Sequence, residues 1–294
     1  MRWALLLTVL LAGCGGSASD ATAPPAPPVD PTLQREVQAG DLAYEMERNE
    51  EAAAQYRAAL ARAQARDDPQ AIGDTGYDLA VAELHANEPA RALGDARGTR
   101  AELARRGIKP FPALLLAEAT ALYRTGAVAE ADRAARRIQP SEDAEAAARA
   151  TFLRGLIADE RRDEAGLAIV ADTLKAATTP SLEADSAELA ARLALRRNDP
   201  AGARRQAIRA AALRQATLDY RGLARALAIE GTAAARSRDA SAADLFLRAG
   251  RSAAVQGDEK CARAWLGRAA ALAPGQAVGR DATALLHALD RSNS

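Results

Sequence analysis

From residue 31 onward the apolar residues recur at helical spacing, and one start signal keeps returning ahead of them. Asp30-Pro31, Asp68-Pro69, Glu88-Pro89, Thr179-Pro180 and Asp199-Pro200 each place a polar residue before a proline. Asp and Thr side chains accept from the first free amides of a helix, and Pro at the first helical position removes no needed donor. Glu is a poorer cap. The pattern predicts fourteen helices near 31–48, 50–65, 69–86, 89–106, 111–125, 127–138, 142–161, 163–177, 181–197, 200–214, 217–237, 240–256, 259–272 and 276–290. Connections of two to five residues make neighbours antiparallel, so the chain is a string of helical hairpins. Sheets are disfavoured because β-branched runs are scarce. Aromatics supply only 3% of residues although 49% are hydrophobic, so the core must be Ala and Leu, which suits closely packed helices.

The hairpins repeat. Their second helices carry Ala52, Ala92, Ala131, Ala168 and Ala203, small residues that let two backbones approach closely. Here the chain resembles the tetratricopeptide repeat, whose first helix carries small residues and whose second carries Ala-x3-aromatic. Residues 33–66 match through Gly40, Ala52, Tyr56 and Ala59; 112–140 through Ala119, Gly126, Ala131 and Ala135; and 184–217 through Ala191, Ala203, Ala207 and Ala210. The best match is 243–276, through Phe246, Ala249, Gly250, Gly257, Ala262, Leu266, Ala269 and Pro274. The stretches near 76–99 and 148–176 are degenerate. The last good repeat starts on a helix that simple pairing would count as second of its pair, which makes 217–237 an extra or swapped element. The resemblance implies an all-α solenoid of about seven antiparallel helix pairs over 31–294. Each unit packs only on its neighbours and leaves a concave surface that takes other chains.

The N-terminus has another character. Met1-Arg2 is a short positive region and Trp3 to Leu11 an apolar run, a targeting segment to be set apart from the fold. Leu11-Ala12-Gly13-Cys14 resembles a bacterial lipobox. That resemblance implies a signal peptide over 1–13 and a mature chain anchored to the membrane by acyl groups on Cys14. Gly15 rather than Asp after the Cys favours the periplasmic face of the outer membrane. Residues 14–30 form a tether, rich in small residues with Pro24, Pro25, Pro27 and Pro28, that buries too little apolar surface to order itself. With Cys14 acylated, Cys261 is the one remaining thiol; it lies on an apolar helical stripe and reads as structural.

Nothing in the sequence spells out catalysis. There is no nucleotide-binding glycine loop, zinc-protease helix pair or serine-nucleophile turn. Gly73-Asp-Thr-Gly76 has no strand before it and no Lys after it, so it reads as a loop or helix start. His85 and His287 are far apart in sequence and read as helix-end and surface side chains. Glu45, Glu47, Glu50 and Glu51 lack EF-hand spacing and read as a solvated face. No enzyme, metal site or cofactor is expected.

Formal net charge is zero, against a nucleic-acid partner, but the charge is uneven. Residues 185–225 hold nine Arg against four acids, while 30–51 hold seven acids against two Arg. An Arg cluster can fork carboxylates or phosphates, and it can equally be solvated surface. Carried over by the resemblance, the groove positions are Tyr44, Tyr123, Arg124, Arg192, Arg196 and Arg251, which suit an acidic peptide. The expected function is a membrane-anchored, non-enzymatic scaffold binding envelope proteins in outer-membrane, pilus or secretion assembly. A small-ligand or enzymatic site in the concavity, or a wall-associated spacer, remain as alternatives.

Overall fold

Helix formation starts at caps the sequence spells out. In the computed structural model, which describes residues 30–176 and 178–291, Asp30 Oδ1 accepts from the Thr32 and Leu33 amides at 2.9 and 3.2 Å. Asp68, Thr179 and Asp199 cap in the same way, whereas Glu88 makes no side-chain cap. Asp143, Asp163, Asp219 and Asp258 add four caps without a proline. The preceding helix often ends on a residue with positive φ, among them Asp67, Asn87, Asn198 and Gly257. Such a left-handed residue reverses the chain at once, and the Asp that follows Asp67, Asn198 and Gly257 starts the next helix. Residues 1–29, on which the expected signal peptide, the expected lipidation at Cys14 and nearly all of the expected tether fall, lie outside the described residues.

Fourteen α-helices result: α1 (Pro31–Glu45), α2 (Asn49–Ala65), α3 (Pro69–His85), α4 (Pro89–Arg105), α5 (Pro112–Arg124), α6 (Val128–Ala135), α7 (Ala144–Glu160), α8 (Glu164–Thr173), α9 (Pro180–Arg196), α10 (Pro200–Ala216), α11 (Tyr220–Arg236), α12 (Ala242–Val255), α13 (Glu259–Leu272) and α14 (Ala277–Arg291). No strand occurs among the described residues. Each helix packs on the next, and α3, α5, α7, α9 and α11 also touch one another in succession, forming one wall of an α-solenoid.

The close-approach position is the fourth residue of each second helix. Ala52, Ala92, Ala131, Ala203 and Ala262 are all fully buried there. Ala168, expected in this set, is only half-buried. Asp163 caps α8 so that Leu167 is its fourth residue, and Leu167 takes the buried place. First helices answer with glycine where a neighbour presses in: a Cβ at Gly40 would lie 2.6 Å from the Tyr56 ring, and one at Gly250 would lie 2.6 Å from Leu266 Cγ. Gly73 to Gly76 is neither loop nor helix start but lies within α3, where Gly76 lets Thr99 of α4 come close.

The repeat changes phase at α11. Before it the odd helices touch the helix two along; after it α12 touches α14. Helix α11 is therefore the extra element, α12–α13 form a new hairpin, and α14 covers its end.

Candidate functional site

The inner wall holds a cavity of about 410 Å³ among α5, α7, α9, α11 and α13. Asp159, Arg192, Arg196, Arg225 and Arg236 bring charge to it, Tyr123 a neutral phenol, and Leu195, Ile229, Cys261 and Trp265 apolar surface. Spacing explains the set: Arg192 and Arg196 are one turn apart on α9, Arg221 and Arg225 on α11, and Cys261 and Trp265 on α13, so each pair shares a face.

Most of this charge is held from behind. Arg192 bridges Asp159 at 2.9 Å and Glu188 at 2.8 Å, and Arg196 bridges Asp159 at 2.7 Å. Arg225 reaches Glu188 at 3.0 Å. Glu188 is fully buried, and Arg214, buried too, meets it at 3.4 Å while also pairing with Asp185 and, at 2.9 Å, Asp219. Burial alone would raise the Glu188 carboxyl, but Arg225, Arg192 and Arg214 hold it at about 2. Phe152 completes the cluster, its ring centroid 5.6 Å from the Arg214 guanidinium carbon and 5.7 Å from that of Arg225.

The Arg-rich stretch is thus not a free positive surface. Beyond Asp185, Glu188 and Asp219 within it, further counter-charges come from outside the sequence window: Asp159 for Arg192 and Arg196, Glu164 for Arg197, Glu183 for Arg209, and Asp239 for Arg204. A linear count misses them because they sit on neighbouring helices. Arg236 differs. It donates to the Leu195 carbonyl, is exposed, and has no carboxylate in ion-pair contact among the described residues.

Of the positions carried over by resemblance, Tyr123, Arg192 and Arg196 come together in this cavity. Burial, with Glu160 nearby, pushes the Tyr123 phenol up to about 12. Arg124 turns away from it, donating to the Leu84 carbonyl and the Asn87 side chain. Tyr44 lies in α1, its hydroxyl 3.1 Å from His85 Nε2 and the two rings edge-to-face at 5.2 Å. Arg251 stands apart on α12, bridging Asp281 of α14 at 3.1 Å, because α12, the first helix of the new hairpin, falls outside the odd-numbered series α5, α7, α9, α11 and α13 that lines the cavity.

Arg236 and Trp265 do not stand out in the sequence, and Arg225 enters it only as one of the nine arginines of 185–225. The available signal was a Trp in an aromatic-poor chain. Cys261 is half-buried on this wall, and burial, with Asp258 beside it, pushes its thiol up to about 11, far from a nucleophilic thiolate. Glu45, Glu47, Glu50 and Glu51 are exposed. Among the described residues no group of three or more His, Cys, Asp or Glu is placed to hold a metal, and no helix is long and apolar enough to cross a membrane.

No family model matches the chain, and no curated protein matches it. Similar solved structures are repeat proteins. A tetratricopeptide repeat protein from Parabacteroides merdae is 14% identical, covering 87% of this chain and 99% of its own, with a TM-score of 0.47. The C-terminal part of a TPR repeat-containing protein from Cytophaga hutchinsonii is 13% identical over 84% and 98%, with a TM-score of 0.41. The TPR2AB domain of yeast Sti1, in complex with pHSP90, is 14% identical over 85% and 98%, with a TM-score of 0.32.

Proposed function

We propose that the chain is a membrane-anchored scaffold whose inner wall binds an acidic segment of another envelope protein. The observation that carries this reading is the cavity itself, where Tyr123 and Trp265 lie beside four arginines and one aspartate. Flat amphipathic rings beside guanidinium groups suit an extended chain bearing carboxylates. Glu188, buried behind the wall, offsets part of the positive charge and leaves an excess facing inward. The lipobox-like run ending in Cys14 supports the anchor, with the periplasmic face of the outer membrane as the proposed location.

The test is a pull-down from detergent-solubilised envelope with the tagged full chain. A co-purifying protein should be lost progressively as salt rises. Arg192→Ala with Arg196→Ala should weaken capture, but those arginines also hold Asp159 and Glu188, so Arg236→Ala is the cleaner probe. Arg133→Ala, on α6 and exposed, should change nothing. Equal loss from Arg236→Ala and Arg133→Ala would move the contact elsewhere. Cys14→Ser should abolish incorporation of a fatty-acid analogue; label retained on that variant would remove the anchor.

A further inference from the structure

The array curls until distant parts of it touch. At the end of α3, the Asn87 amide donates to the Gly257 carbonyl in the turn between α12 and α13, and Arg221 of α11 donates to the His85 carbonyl at 3.1 Å. Arg124 of α5 donates to the adjacent Leu84 carbonyl and to the Asn87 side chain. Two arginines from separate helices therefore converge on one helix end at a seam, with His85 and its Tyr44 partner alongside.

This convergence is electrostatically incomplete. Neither Arg124 nor Arg221 has a carboxylate in ion-pair contact among the described residues, unlike Arg192, Arg196, Arg214 and Arg225 around Glu188. The carbonyl end of α3 supplies about half a negative charge. Asp258 acts on both arginines from the start of α13, where its Oδ1 accepts from the Cys261 amide at 3.1 Å. Asp219 also acts on Arg221, but it is already paired with Arg214 at 2.9 Å, so two full positive charges face one carboxylate, a second that is shared, and a helix end. Burial and the charge of Arg221 hold Arg124 at about 10, and burial followed by these same two arginines lowers His85 below 6.5. One atom shows the deficit directly: Arg221 Nη1 is buried and has no hydrogen-bond partner. A buried charged N–H left unmade is costly, and the group that satisfies a guanidinium fork is an oxyanion.

We propose that the seam between the end of α3 and the starts of α11 and α13 is an oxyanion-binding site, in which a phosphate or carboxylate bridges Arg124 and Arg221 and ties distant parts of the array together. It does not require the inner wall to hold a peptide. The two arginines reach the site from α5 and α11, with five helices between them, so the bound anion stabilises the curled form.

The test uses the full chain purified in detergent, with inorganic phosphate and acetate as separate probes against chloride at equal ionic strength. A ligand at about ten times its dissociation constant should raise the thermal midpoint by about 2–4 °C. A rise with phosphate alone assigns a phosphate source, and a rise with acetate assigns a carboxylate. Arg221→Gln and Arg124→Gln should each remove the rise, whereas Arg205→Gln should keep it. Calorimetric titration of the wild-type chain with each anion reads binding directly, so the proposal is decided even where a variant fails to fold. Seam geometry is checked by Asn87→Cys with Gly257→Cys in a Cys261→Ala background. A Cβ at Gly257 would lie 3.9 Å from Asn87 Cβ, close to the ~3.8 Å of a disulfide, so the pair should oxidise although Cys at 257 bears the strain of its positive φ. No anion effect beyond chloride, an effect that survives both Gln variants, or a cysteine pair that stays reduced would overturn the proposal.

Discussion

Glu188→Ala is expected to destabilise the protein by about 3–5 kcal/mol, the cost of leaving buried charges uncompensated. Glu188 is fully buried and is shared by Arg192, Arg214 and Arg225, so its loss leaves three guanidinium groups around one apolar methyl. Asp159 still serves Arg192, and Asp185 and Asp219 still serve Arg214, so the damage centres on Arg225. Glu188→Gln separates charge from shape: it keeps acceptor and volume, and should fall between wild type and Ala. Chemical denaturation of the three proteins checks the order. The sign with pH follows from the depressed carboxyl. Its contribution is fully present above the ordinary value of 4.5 and is lost as pH falls toward about 2. The gap between wild type and Glu188→Ala should therefore close in acid; a gap that widened there would contradict the network.

Phe246→Ala should cost about 3–5 kcal/mol for a different reason. Phe246 is fully buried in the core of α11 to α14. Gly231 makes room for it, since a Cβ there would lie 3.3 Å from the ring, and the Arg268 guanidinium stacks 4.8 Å from its centroid. The rest of the core is largely Ala and Leu, whose backbones are already close and cannot collapse into the cavity. Because units of such an array are stabilised by their neighbours, the loss should be local. Hydrogen exchange should show α11 to α14 opening while α1 to α4 stay protected. Val255→Ala, at a side chain 90% exposed, should be silent. Uniform loss of protection would mean the array unfolds as one unit.

The helices are legible because each level of the sequence agrees. Asp30, Asp68, Thr179 and Asp199 cap where expected, and the close-approach alanines sit at one register. The half-buried Ala168 shows the limit: the repeat near 148–176 is degenerate, so its frame is ambiguous by one residue and Leu167 is hidden beside it. The swapped character of α11 is visible as a repeat out of phase, but its consequence for Arg251 is not. The same odd-numbered helices line the wall on both sides of the phase change, so α12, though first in its hairpin, is left off it, and that is a property of packing. The Arg-rich stretch misleads for the same reason. Charge is summed along a chain, whereas ion pairs form between helices, so a linear count gives no credit to Asp159, Glu164 and Asp239. The seam at Asn87 and Gly257 depends on the accumulated curl of the whole array, and no local pattern encodes it.

Site-specific photo-crosslinking in the living envelope tests the central claim most directly. A photoreactive residue placed at Arg236 on the inner wall, and in parallel at Arg133 on α6, reports which face a partner touches. A covalent adduct to one envelope protein from position 236, absent from 133 and suppressed by rising salt in isolated membranes, is the predicted result. Adducts from 133 with none from 236 would contradict the groove and place the binding surface on the outer face of the array.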